Sequence, residues 1–149
     1  MRMAEPSRRL APLPVEVPAW AVAVAWLLAA VFLATGLGKA LDVVGFALVL
    51  HDFRIFPDAL LMPVALGVIG LEFAIAIGLT RTRQRPLAAL AAGLLAIINA
   101  LVLSFTLWRG IPLENCGCFG VFLARPLTLY SPLEDVVLLG LACLVRWRA

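Results

Sequence analysis

Cys116 and Cys118 are separated by one residue, in the run Asn115-Cys116-Gly117-Cys118-Phe119-Gly120. Two thiols this close support thiol–disulfide exchange or capture of a soft metal such as Cu(I) or zinc. A Cys-Gly-Cys disulfide closes a loop too short to staple a fold: the chain-entropy model gives it roughly 1.6 kcal/mol, against about 3 for fifteen residues. Its backbone needs unusual angles, which Gly117 supplies. Residual strain makes such a bridge easy to reduce, as an exchanging disulfide must be. A closed zinc site wants four ligands. His51 is the only histidine and lies in another loop, with Glu114 and Asp135 as further ligand candidates, so no metal site is assigned. Incidental packing of two small residues is the third reading. Cys143 falls in a later apolar run and reads as a small core residue.

The segments around the pair are membrane-like. Of the 149 residues, 64% are hydrophobic and 14% charged, with a mean hydropathy of +1.06. A soluble domain has nearer half and a quarter. Crossing about 30 Å of hydrocarbon takes roughly 20 helical residues. Apolar runs at about 19–38, 60–80, 86–107 and 132–145 supply four spans. Val43–Leu50 is too short to cross and reads as an interfacial helix between the first two. Ser131, Pro132 and Glu134 read as a capping box opening the fourth span. The expected fold is all-α: a polytopic four-transmembrane-helix bundle over 19–148, preceded by a disordered cytoplasmic tail over 1–18. Small residues recur every fourth position at Ala21-Ala25-Ala29, Gly70-Ala74-Gly78 and Ala88-Ala92-Ala96-Ala100, as close helix packing in lipid requires.

Charge placement sets the orientation. Arg2, Arg8, Arg9, Arg81, Arg83, Arg85, Arg146 and Arg148 fall on one side, against Lys39, Arg54, Arg109 and Arg125 on the other. Both termini are therefore expected in the cytoplasm of a plasma (inner) membrane protein. The basic residues are topology signals, not a nucleic-acid surface. Cys116 and Cys118 then face outward, where disulfides persist. Within the spans, Glu72 is the costliest residue and a functional candidate by default. Lys39 is its nearest basic partner in the sequence, although counting along each helix leaves their depths mismatched. Asn99 suits a hydrogen bond inside the bundle.

The chain resembles the methylamine utilisation protein MauE family, within the DoxX-like four-helix membrane proteins, from about Trp20 to Trp147. Thr35-Gly36-Leu37-Gly38-Lys39, Pro57, Glu72, Arg109-Gly110 and Cys116-Gly117-Cys118-Phe119-Gly120 carry the resemblance. It implies a redox accessory role in maturing a disulfide-rich extracytoplasmic enzyme subunit, beside a thioredoxin-like partner. Glu134 stands before Asp135 where the family often has a basic residue, a departure that bears on any ion pair there. The expected site is thus Cys116 and Cys118, with Cys118 named as the attacking sulfur. Gly117, Phe119, Gly120 and Asp135 support the loop, and Glu72, Lys39 and Asn99 are the polar residues within the bilayer. Arg109 and Arg125 favour thiolate. The apolar Phe119, Val121, Phe122 and Leu123 offer a place for a quinone that would regenerate the disulfide. A soft-metal carrier and a structural membrane subunit are the alternatives. The oligomeric state is not legible.

Overall fold

The structure, a computed structural model, describes residues 17–148. The expected tail over 1–18 lies almost entirely outside them. The described residues form five helices and no strand. They are α1 (Ala19–Ala40), α2 (Val43–Asp52), α3 (Asp58–Thr80), α4 (Arg85–Trp108) and α5 (Tyr130–Arg148).

Helices α1, α3 and α4 are long and apolar enough to cross a bilayer. Their outward faces carry large apolar side chains such as Trp26, Leu27, Leu66, Ile98 and Leu101, as lipid contact demands. Helix α5 is different. Glu134 and Asp135 occupy its early turns and Arg146 and Arg148 its last, so its uncharged stretch is only roughly ten residues, shorter than a full span.

Packing divides the molecule into two ends. At one end Leu28, Leu79, Ala88, Ala142 and Val145 share a core, and Arg148 lies 5.7 Å from the Trp20 ring. The start of α1, the α3–α4 turn and the end of α5 therefore sit together. Gly78 meets Ala88 there so closely that a Cβ on Gly78 would stand 2.8 Å from the alanine's. At the other end α2 lies along the first half of α3, with Phe46, Ala47, Val49 and Phe53 packed with Ala65 and Ile69. Asp42 starts α2 by accepting a 2.7 Å hydrogen bond from the Gly45 amide, the usual device for an orphan helical N–H.

Three expectations change. Ala21, Ala25 and Ala29, and Ala88, Ala92 and Ala96, are buried, but Gly70 and Ala74 are exposed, so only Gly78 of that stripe packs. Cys143 is exposed on α5 rather than in the core. No capping box opens α5: Ser131 lies inside the helix, its hydroxyl accepts from the Thr128 amide at 3.2 Å, and Glu134 points to Arg125 instead.

Candidate functional site: a cysteine loop seated on a buried ion pair

The loop leaves α4 through Gly110, whose φ is 67°, and its two legs are clasped together. The Cys116 amide donates to the Arg125 carbonyl at 2.8 Å and the Leu127 amide to the Leu113 carbonyl at 2.9 Å. Asn115 ties the tip. Its Oδ1 accepts from the Gly117 amide at 2.9 Å and its Nδ2 donates to the Gly120 carbonyl at 3.1 Å. Gly117 and Gly120 both take φ 74°, a left-handed region open to glycine and costly to other residues. Gly120 also rests against Gly38 of α1. A Cβ on Gly120 would collide with the Gly38 carbonyl, and one on Gly38 with the Phe119 carbonyl. The loop is thus pressed backbone to backbone onto the end of α1.

Lys39, the next residue, fixes this seat from below. Its ammonium donates to Glu72 Oε1 at 2.6 Å and to the Cys118 carbonyl at 2.9 Å. It also stands 5.6 Å from the Phe46 ring. Lys39 is 4% exposed and Glu72 2%, so each charge needs the other. The depths agree because α3 begins well beyond the end of α1, with α2 packed on the overhang. Gly36 admits the carboxylate: a Cβ there would lie 3.3 Å from the Glu72 Cβ.

The two sulfurs lie 3.0 Å apart and are unbonded. Cys116 is buried at 6% exposure, whereas Cys118 is partly exposed. Their acidities diverge. The hydrogen bond with Cys118 draws the Cys116 thiol from an ordinary 9.0 down to about 6, against burial and with help from the Arg125 charge. The same hydrogen bond and burial push Cys118 up, so it keeps its proton. One sulfur is a thiolate at neutral pH and its neighbour is a thiol. Arg125 is held by a bidentate pair to Glu134, at 2.7 and 3.0 Å, and stacks 5.2 Å from the Phe119 ring. Glu134 therefore serves this chain as the anchor of the cation beside Cys116, and Arg125 is itself pushed up by it. Arg109 acts elsewhere: it donates to the Phe53 and Arg54 carbonyls at 3.1 and 3.2 Å and holds the end of α2.

Beneath the sulfurs is a cavity of about 130 Å³. Cys116, Gly117, Cys118 and Phe119 line it from the loop, Lys39 and Glu72 from α1 and α3, and Asn99, Ser131 and Asp135 from α4 and α5. Most of its wall is apolar, including Phe32, Phe46, Phe53 and Phe56. Asn99 stands beside the Asp135 carboxylate, and Asp135 is a buried wall of the site. Of the nine residues named from the sequence, Gly120 sits outside this cavity against Gly38 and the other eight line it. Phe122 and Leu123 do not; both are exposed on the outside of the loop. His51 lies near Asp52 and Asp58, at 3.7 and 3.8 Å. Among the described residues no three His, Cys, Asp or Glu side chains gather closely enough to hold a metal ion. The reading from sequence missed Asn115, although an Asn two residues before a Gly is an Asx-turn signal.

The family model of Methylamine utilisation protein MauE matches residues 17–148. A curated relative, the Methylamine utilization protein MauE of Paracoccus denitrificans, is 36% identical over 123 residues, covering 83% of this chain and 65% of the relative. The chain thus spans just under two thirds of that relative's length. No solved structure matches it.

Proposed function

This chain belongs to the methylamine utilisation protein MauE family, and we propose that it is a thiol–disulfide exchange protein of the plasma membrane. In this reading α5 completes a four-helix transmembrane bundle, α2 lies at the interface, and both termini are cytoplasmic. The cysteine loop then faces the extracytoplasmic side, where a thioredoxin-like partner or a disulfide-rich enzyme subunit under maturation would meet it. Service to methylamine utilisation is part of the same proposal.

The observation that carries it is the close pair: sulfurs 3.0 Å apart in a loop clasped onto α1, one on a buried residue and one on a partly exposed residue. In the oxidised pair a partner thiolate attacks Cys118, the more exposed residue of the two. Cys116 departs, because the lower-pKa thiol is the better leaving group. A second partner thiolate then displaces Cys118, leaving the partner's disulfide and the reduced pair. Run backwards, the same steps reduce a partner.

Single variants in a Cys143→Ala background test this. Cys116→Ala removes the group that would expel the partner and should accumulate a reductant-sensitive adduct on Cys118. Capture by neither Cys116→Ala nor Cys118→Ala, together with a pair found only reduced in cells, would overturn the proposal.

A further inference from the structure

The exchange reading leaves the cavity and one buried atom without a use. The cavity measures about 130 Å³. A cavity of about 150 Å³ with apolar walls takes up a benzene ring, whereas one water occupies about 30 Å³ of liquid. The space therefore suits a single six-membered ring. Four phenylalanines of α1, α2 and the α2–α3 connection wall it, a lining that favours a flat aromatic guest. Glu72 is 2% exposed and lines this cavity, yet its Oε2 has no hydrogen-bond partner among the described residues. The neighbouring Thr35 hydroxyl gives its proton to the Phe32 carbonyl at 3.1 Å. A buried acceptor left empty is costly, and it asks for a ligand that brings a proton-bearing group. Cys116 and Cys118 line the same space.

We infer that the cavity receives the ring of a lipid-soluble benzoquinone, and that this ring is the oxidant of the cysteine pair. The inference rests on the exchange reading for the pair's redox cycling, and it sets the direction of flow from partner to sulfurs to quinone. The step balances. Cys116 as thiolate and Cys118 as thiol, with one quinone and one proton from water, give the Cys116–Cys118 disulfide and one hydroquinone. The S–S bond forms and the S–H bond breaks. The two electrons go to the ring, and its two oxygens take the Cys118 proton and the added one. The oxidised ring carries only carbonyl oxygens; the hydroquinone formed from it brings the hydroxyl that Glu72 Oε2 lacks, so the cavity holds the product better than the oxidant and favours the step, while the Asn99 amide can donate to a ring oxygen. A ring bound under the loop meets the cysteines from the bundle side, so partner and quinone need not compete for one face.

The test uses the full-length Cys143→Ala protein in detergent, reduced and kept anaerobic, with decylubiquinone as the probe. One quinone should be reduced per cysteine pair, followed by quinone absorbance and by loss of free thiol. Val102 also lines the cavity, and Val102→Phe should overfill it. That variant should slow oxidation by quinone at least about tenfold, a loss of about 1.4 kcal/mol of barrier advantage, with oxidation by glutathione disulfide kept as the measure of an intact pair. In Cys116→Ala/Cys118→Ala, decylubiquinone should still be retained by the protein above the amount carried by detergent alone, and Val102→Phe added to it should abolish that retention. Quinone oxidation that ignores Val102→Phe would overturn the inference, since the reaction would then occur from outside. Oxidation by glutathione disulfide but not by quinone would overturn it too and leave the exchange reading standing. If neither oxidises the pair, the exchange reading falls with it.

Discussion

The acidity of Cys116 should depend on Cys118, and the dependence has a worked size. In the Cys143→Ala background, with the exposed third thiol gone, Cys116 should react with a pyridyl disulfide along a titration curve centred at about 6. Cys118→Ala removes the hydrogen bond that is the first cause of the shift. What remains is burial and the Glu134 charge, which oppose the thiolate, and the backbone hydrogen bond from residue 118 and the Arg125 charge, which favour it. The midpoint should return toward the ordinary 9.0. At pH 7 a thiol of pKa about 6 is roughly 90% thiolate and one of about 9 roughly 1%, a loss of about 90-fold in reactive species. A more basic thiolate is intrinsically faster, however, by about 16- to 30-fold over three units at a Brønsted slope of about 0.4–0.5. The net slowing at pH 7 is therefore only about three- to sixfold.

The position of the curve is the sharper readout. Below pH 6 both proteins are protonated at Cys116 and slow. Between 6 and 9 the parent rate is nearly flat while the Cys118→Ala rate climbs with pH. A parent midpoint near 9 would refute the reasoning, as would a Cys118→Ala midpoint still near 6. If the low midpoint disappeared only with Cys118, in a Cys116→Ala protein that still titrated near 6, the two roles would be reversed.

Gly120→Ala should cost about 2–4 kcal/mol, combining a forbidden φ with a backbone collision at Gly38; thermal unfolding reads the loss, and an unchanged midpoint would mean the loop is not seated on α1. Asn115→Ala removes two hydrogen bonds of about 1 kcal/mol each and should lower stability by about 1–3 kcal/mol while hastening alkylation of Cys116. Lys39→Met strands a buried carboxylate and should cost about 3–5 kcal/mol, most of it recovered by adding Glu72→Met; a double variant no more stable than the single would show the pair is not formed. Arg125→Ala should cost no more than about 1 kcal/mol, because its pair with Glu134 is half exposed, yet it should raise the Cys116 midpoint.

The long helices were legible because runs of some twenty apolar residues admit few other readings. The inward faces were harder. Nearly every position of α1 and α3 is apolar, so no polar stripe marks the outside, and the exposed Gly70 and Ala74 look no different in sequence from the buried Ala25 and Ala29. Cys143 was misplaced for the same reason. The Lys39–Glu72 pair was suggested by charge, but its geometry was not, since residue counting assumes that neighbouring helices start in one plane. Here α2 covers a half-length of α3 that α1 never reaches. Asn115 was overlooked because loop hydrogen bonds leave no periodicity. The acidity split was not legible at all. It depends on a 3.0 Å contact that two residue types and a spacing do not fix.

These separate pieces resolve one physical difficulty. A thiolate at neutral pH is the useful state for exchange and also the state most open to oxidation, and damage follows thiolate character and exposure together. The site separates the two properties between its sulfurs. Cys116 holds the charge but is 6% exposed, while the reachable Cys118 holds the proton. That division survives only if the loop stays down on the bundle. The hold is double: Gly38 against Gly120 by shape, and Lys39 to the Cys118 carbonyl by a hydrogen bond, with Glu72 paired to Lys39 inside an apolar frame. Thr35-Gly36-Leu37-Gly38-Lys39 and Cys116-Gly117-Cys118-Phe119-Gly120, some eighty residues apart in the chain, are on this account the two halves of one mount, and loosening either should make the thiolate more reactive and shorter-lived together.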